Sequence, residues 1–373
     1  FLVDDMGWRD VACFGSSFYE TPNIDRFAKQ GVRFTNAYAA CHVCSPTRAS
    51  IMTGKYPGRL DLTDWISGRR EFDFQRFLSA EKLQALPLEE TTLAEALKAK
   101  GYRTGIFGKW HLGNAEAGPL NQGFDVQVPK WNGCCPKGGY HPPYRMEGLK
   151  IKGKKDEYLT DRLTSMALDF MGQSKDKPFF LYLSHFSVHD PIQGRKDLVD
   201  KYRVKLATLP PLEGPPFILE GNPDDKAPLS REKLMDLLGK SSHQGHKVLP
   251  QRTIKIKQRQ DNVEFAAMVE SVDESLGRVL EKLEAMGQTD NTIVIFYSDN
   301  GGMSAGNFGN PARVVQQNQL DRAYATSNLP LRGAKGWLYE GGIRVPMIVK
   351  WPGKGRAGVI CEEPVISPDF YPS

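Results

Sequence analysis

Long apolar runs are missing from this chain. No stretch reaches membrane-spanning length, so no spanning helix is expected. A one-sided charge balance is missing too. Forty-nine Lys and Arg against 44 Asp and Glu leave +5, which suits an anionic substrate and is too weak to argue for nucleic acid. Cysteine is scarce: six in 373 residues, too few for a disulfide framework in a chain this long. Cys41-x-x-Cys44 has the spacing of a redox pair or half a zinc site, a minor reading here. Zinc would need two more ligands, and Cys134-Cys135 are adjacent, a poor chelating spacing. No internal repeat is visible. What remains, 40% apolar and 25% charged, is ordinary for a globular protein large enough for one α/β domain or two smaller ones. Phe1-Leu2-Val3 reads as the end of a buried strand. At Ser367 to Ser373 a helix is expected to begin, so the sequence is read as a fragment of a longer protein.

Buried strands and their endings dominate the pattern. Leu2-Val3 ends in Asp4-Asp5 and a glycine turn, and Tyr102 to Phe107 runs into Gly108-Lys109-Trp110-His111. Phe179 to Ser184 is a continuous apolar run that ends in His185 to His189, and Thr292 to Tyr297 ends in Ser298-Asp299-Asn300. Between them, Thr21 to Gly31, Asp156 to Met171 and Asp261 to Met286 have helical spacing, and Thr92-x-x-Glu95 is a capping box. Val32 to Tyr38 alternates as one strand. Residues 204–257 differ: six prolines argue against regular structure in the first half, and the second half is basic. This segment reads as an irregular insertion or lid.

The strand at Val32 to Tyr38 feeds Cys44-Ser45-Pro46-Thr47-Arg48. Proline suits the start of a helix, so a short helix is expected from Pro46, with Cys44 just before its N-terminus. Free N–H groups favour negative charge there, and Arg48 lies four residues on, which makes Cys44 a candidate nucleophile. In a doubly wound sheet, strand ends of the kind seen here converge on one crevice. Asp4, Asp5, Asp299 and Asn300 are hard oxygen donors that suit Ca²⁺ or Mg²⁺. Arg48, Lys109, His111, His189 and Lys335 supply positive charge and proton transfer. A cation, lysines and histidines around a nucleophile are what hydrolysis of an oxyanion ester needs.

Several of these stretches together resemble a known family. Cys44-Ser45-Pro46-Thr47-Arg48, followed by Ala49 to Gly54, resembles the first sulfatase signature, C-x-P-x-R. Gly101 to His111 resembles the second, and Asp4-Asp5-Met6-Gly7, Ser298 to Gly301 and Gly333-Ala334-Lys335-Gly336 are similar to further family motifs, in family order. The resemblance is to type I, formylglycine-dependent, arylsulfatase A-like sulfatases of the alkaline-phosphatase superfamily, from residue 1 to 373. It implies a large, mostly parallel mixed sheet with helices on both faces, forming one catalytic domain over 1–373. The fragment is truncated at both ends, lacks the family's C-terminal subdomain and carries the insertion at about 204–257.

The resemblance also implies the chemistry. A maturing enzyme reads Pro46 and Arg48 and oxidises Cys44 to Cα-formylglycine. One hydroxyl of the hydrated aldehyde attacks sulfur, and His111 then deprotonates the other to expel sulfate. Lys109, His189 and Lys335 hold sulfate oxygens, and His189 or Lys335 protonates the leaving alcohol. Asp4, Asp5, Asp299, Asn300 and residue 44 carry over as Ca²⁺ ligands, with Mg²⁺ as the alternative ion. His185 does not match the family position and is expected to be structural. The implied setting is periplasmic, extracellular or lysosome-like.

The substrate reading is a sulfated carbohydrate or an aryl sulfate. Trp65, Arg69 and Arg70 on one loop, and Trp131, His141 and Arg145 on another, are candidates to grip a sulfated sugar by stacking and charge. Two other readings stay open. One is a phosphonate or phosphate ester hydrolase of the same superfamily, although the usual second set of zinc ligands is not found. The other is an unmatured, non-catalytic binder of sulfated glycans.

Overall fold

Neighbouring residues along each central strand point to opposite faces, and this alternation builds two cores on one sheet. The computed structural model describes residues 1–68, 71, 77–149, 156–174, 177–213, 217–220, 227, 233, 242–243, 246–247, 254–304 and 325–373. The central sheet has eight strands: β1 (Leu2–Val3), β2 (Val32–Phe34), β3 (Arg103–Gly108), β4 (Val126–Val128), β5 (Phe179–Ser184), β6 (Val294–Ser298), β7 (Met347–Lys350) and β8 (Val359–Cys361). Their spatial order is β8-β2-β7-β6-β1-β5-β3-β4. Every pairing is parallel except the two made by β7, which runs against β6 and β2.

Val3, Phe107, Leu183, Phe296 and Ile348 face one core. It is closed by α1 (Pro22–Gln30), α4 (Leu159–Gly172), α5 (Lys196–Ala207) and α6 (Val263–Ala285). Their sequence neighbours Leu2, Ile106, Tyr182, Tyr297 and Met347 face the other core, under α2 (Cys44–Thr53) and α3 (Leu93–Ala99). Helices therefore cover both faces of a mostly parallel sheet, as expected. The capping box at α3 is present: Thr92 Oγ1 accepts from Glu95 N–H at 3.2 Å, and Glu95 Oε2 accepts from Thr92 N–H at 2.7 Å. No helix among the described residues is long and apolar enough to cross a membrane.

Three local expectations change. The alternating run from Val32 to Tyr38 is two strands. β2 joins the central sheet, whereas Ala37–Tyr38 pairs with Val365–Ile366 in a separate ribbon. The chain turns between them because the Arg344 guanidinium takes both Thr35 O and Asn36 Oδ1. Helix α2 starts at Cys44, not Pro46, so the cysteine lies inside the first turn. The first-turn N–H groups have no intrahelical acceptor, so Pro46 costs nothing as the third residue. Finally, Phe217–Glu220, lying among the prolines of the insertion, is a strand paired antiparallel with Ile254–Lys257. A two-stranded ribbon tolerates prolines just beyond its ends.

Candidate active site

Strands β6, β1, β5 and β3 lie side by side and end at one edge of the sheet. Polar residues follow each: Asp299-Asn300, Asp4-Asp5, His185 to His189, and Lys109 to His111. Because β7 is antiparallel, the loop before it carries Lys335 to this same edge. Chain order reverses about β1, with β2 on one side and β3 on the other, which is where open α/β sheets leave a crevice. Helix α2 is buried along its whole length and brings Cys44 and Arg48 in beneath. Gly108 makes the approach of β3 to β5 possible. At φ 118° its missing side chain leaves room for Ser184 O, and Lys109 N–H donates to that carbonyl at 2.7 Å.

The buried charges form a connected network. Arg48 Nε donates to Asp299 Oδ2 at 2.8 Å, and its Nη1 donates to Ser184 Oγ at 2.7 Å and Lys109 O at 3.0 Å. Lys109 Nζ lies 2.6 Å from Asp4 Oδ2, and Lys335 Nζ lies 2.7 Å from Asp5 Oδ2. Burial works against charge on Asp299, yet Arg48, Lys109 and Lys335 hold its carboxyl well below the ordinary range. Asp4 loses its water and faces Asp299, so it is pushed up to about 7 in spite of Lys109. Asp5 at φ 64° and His111 at φ 59° are left-handed, a strain of order 1–3 kcal/mol each that clusters at functional sites.

Two histidines are driven apart. His111 is buried beside Lys109, which together push its pKa well below the ordinary histidine value. Its Nδ1 sits 3.3 Å from Cys44 Sγ and its Nε2 faces Ile66 O. A carbonyl accepts only, so Nε2 carries the proton and Nδ1 is the free base. Burial and Lys335 oppose charge on His189, but Asp5, Asp4 and Asp190 hold its pKa up at about 9. Its Nε2 is 3.6 Å from Asp5 Oδ2, and its Nδ1 is 3.0 Å from Asp190 Oδ1. One histidine is thus neutral at pH 7 and the other protonated, the separation that assigns base and acid. The Cys44 thiol is pushed up by burial, against the pull of Lys109 and Lys335.

The same residues fit a hard cation. Ligand atoms of Asp4, Cys44 and Asp299 lie within 4.8 Å of one another. Asn300 spends its Nδ2 on Asp5 Oδ1 at 2.8 Å and on Gly301 O, leaving Oδ1 buried with no hydrogen-bond donor. Asp4 Oδ1 is likewise buried without a hydrogen-bond donor, with Arg48 Nη2 3.8 Å from it. Buried acceptors left bare are costly unless something positive meets them, and carboxylate and amide oxygens select Ca²⁺ or Mg²⁺ over softer ions.

The structure thus brings Asp4, Asp5, Cys44, Arg48, Lys109, His111, His189, Asp299, Asn300 and Lys335 to one place. The outer candidates are scattered. Trp65 precedes Ile66, whose carbonyl meets His111. Trp131 Nε1 donates to Cys135 O at 2.8 Å, and Cys135 Sγ is 3.8 Å from His189 Nδ1. His141 places Nε2 against Gly194 O at 3.1 Å and its ring against Tyr158. Arg145 is exposed and lies over Gly138. Arg69 and Arg70 lie outside the described residues. His185 pairs with Ser275 Oγ at 2.8 Å in the core, as expected of a structural residue. Sequence reasoning missed Ser184, Ser298, Ile66 and Asp190. Ser298 Oγ accepts from Met6 N–H at 3.0 Å. A lone hydroxyl ending an apolar strand, as at Ser184 and Ser298, is a readable signal; the Ile66 carbonyl has none.

Comparison with known proteins identifies the family. An uncharacterised sulfatase of Schizosaccharomyces pombe is 30% identical over 431 residues, covering 100% of this chain and 73% of its own length. Human N-acetylgalactosamine-6-sulfatase is 30% identical over 382 residues, covering 97% of this chain but 58% of its own length, so the chain spans little more than half of that relative. The crystal structure of Ps i-CgsB superposes with a TM-score of 0.70 at 27% identity, covering 100% of this chain and 69% of that one; it has also been solved with k-i-k-neocarrahexaose. The fold is thus the alkaline-phosphatase-like one. The Sulfatase family model matches residues 1–373, and the chain belongs to that family.

Proposed function

We propose that this chain hydrolyses sulfate esters, with residue 44 as nucleophile after its oxidation to Cα-formylglycine by a maturation enzyme. The observation that carries the reading is the position of Cys44. Its sulfur is 3.3 Å from the free nitrogen of His111 and within 4.8 Å of the ligand atoms of Asp4 and Asp299. A divalent cation held by Asp4, Asp5, Asp299, Asn300 and residue 44 supplies charge neutralisation for the sulfuryl oxygens. Once converted to a hydrated aldehyde, residue 44 would offer one hydroxyl as nucleophile and a second whose proton His111 would take.

The other residues supply binding and proton transfer. Arg48 holds Asp299 and the Lys109 carbonyl in register, fixing the frame around residue 44. Lys109 and Lys335 present ammonium groups to the sulfuryl oxygens. His111 Nδ1 takes a proton where Cys44 Sγ now sits, and Ile66 O keeps the other nitrogen protonated. Protonated His189, or Lys335 beside it, donates to the departing alkoxide.

A sulfated carbohydrate is the favoured substrate class, with an aryl sulfate as a minimal one. Support comes from the sugar named in the human relative and the oligosaccharide bound by Ps i-CgsB. Trp65, Arg69, Arg70, Trp131, His141 and Arg145 are assigned to gripping it. The setting is periplasmic, extracellular or lysosome-like. The test is turnover of 4-nitrophenyl sulfate against 4-nitrophenyl phosphate by protein matured in its own host. Sulfate preference, abolished in Cys44→Ala, is expected. Phosphate preference would assign the site to a phosphoester hydrolase, and turnover of neither to a glycan binder.

A further inference from the structure

Cys134 and Cys135 are adjacent and half-buried, and their Sγ atoms lie 2.7 Å apart, against roughly 2.05 Å in a formed disulfide. The pair stands at the active site: Cys135 Sγ is 3.8 Å from Nδ1 of His189. The frame around it is fixed. Trp131 Nε1 holds Cys135 O, and Trp131 covers Gly133 so closely that a side chain there would clash. Tyr140 O–H lies 2.6 Å from Phe186 O and 2.9 Å from His189 O, tying the cysteine loop to the histidine turn.

We propose that Cys134-Cys135 is a redox modification site that closes to a vicinal disulfide with a small disulfide oxidant, and that closure strengthens anion binding at the neighbouring site. The exchange balances. The Cys134 thiolate attacks one sulfur of R–S–S–R and releases R–S⁻. Cys135, giving up its proton, attacks Cys134 Sγ and releases the second R–S⁻. The two protein sulfurs are oxidised and the oxidant's two are reduced; the pair's single proton and one proton from solvent end on the two R–SH. The pair is suited to the first step. The hydrogen bond from Cys135, with help from Lys109, His189 and Lys335, brings the Cys134 thiol down to about 5, while Cys135 is pushed up by sharing that bond. One proton is therefore held between two sulfurs, and the open pair is negative. The closed pair is neutral, so closure removes a negative charge facing the cations that bind the anion.

The disulfide stands on geometry alone; its effect on anions rests on the sulfate-binding reading of the site. The test treats the full chain with glutathione disulfide, alkylates with iodoacetamide and maps the peptides. The peptide holding residues 134 and 135 should be two hydrogens lighter and unalkylated, and dithiothreitol should restore two alkylation sites. Calorimetric titration with inorganic sulfate should show several-fold tighter binding to the oxidised protein, and Cys135→Ser should remove that difference. Full alkylation after oxidant would overturn the disulfide. A disulfide with sulfate affinity unchanged would overturn the coupling. Sulfate binding to neither state would overturn the site reading and the coupling with it, leaving the disulfide established by mass.

Discussion

Cys44 Sγ lies 3.3 Å from His111 Nδ1, and the other nitrogen of His111 faces the Ile66 carbonyl. A thiol here gains little from a neighbouring base, because burial raises its pKa. A hydrated aldehyde in the same place has a second hydroxyl, and a neutral base is already aimed where that hydroxyl's proton must leave.

The first prediction concerns that base. His111→Ala should lower steady-state turnover of an aryl sulfate by about 10²–10⁴-fold, the usual weight of a general base. The attack on sulfur does not need His111, so the peptide bearing residue 44 should gain the mass of one SO₃ after mixing. Absence of that adduct in a slow variant would remove His111 from the release step.

Arg48 is both motif residue and structural post. It is buried with Asp299, Ser184 and the Lys109 carbonyl as partners. Arg48→Ala removes the ion-pair partner that touches Asp299, with Lys109 and Lys335 left to offset part of a cost of roughly 3–5 kcal/mol. Urea titration should show that loss together with lost turnover. Loss of turnover at full stability would make Arg48 purely catalytic.

Cation binding should stabilise the protein independently of activity. Added Ca²⁺ should raise the Tm and a chelator reverse it; saturation at 100 times Kd corresponds to about 2.7 kcal/mol. Asn300→Leu removes the bare Oδ1 and should abolish the Ca²⁺-dependent part of the Tm. An equal Ca²⁺ response in that variant would take Asn300 out of the ligand set.

Acid stability should depend on His185. Burial brings its pKa down to about 3, so the fold favours the neutral ring. Its contribution is fully present above the ordinary value near 6.5 and is lost as pH falls from there towards 3, amounting to roughly 4–5 kcal/mol at the low end. His185→Phe should flatten the fall of the urea midpoint between pH 7 and pH 4.5. An unchanged slope would assign the acid sensitivity to other groups.

Much of this was legible in the letters. Four apolar strands ended in candidate site residues, because β6, β1, β5 and β3 are neighbours with a common direction, and β7 returns Lys335 to their edge. The sequence did not show what depends on approach between distant loops. The Ile66 carbonyl meets His111 across 45 residues through an atom every residue possesses. Asp190 and Cys135 matter because Tyr140 ties two loops together. The run from Val32 to Tyr38 alternates as far as Thr35, and the groups that meet it where it turns, Arg344, Cys361 O and Glu362 O, lie more than 300 residues away.

The most direct measurement is the mass of the peptide bearing residue 44, taken from protein made in its own host. An aldehyde or its hydrate in place of the thiol is the predicted result. An unmodified cysteine in protein that still cleaves sulfate esters would contradict the account.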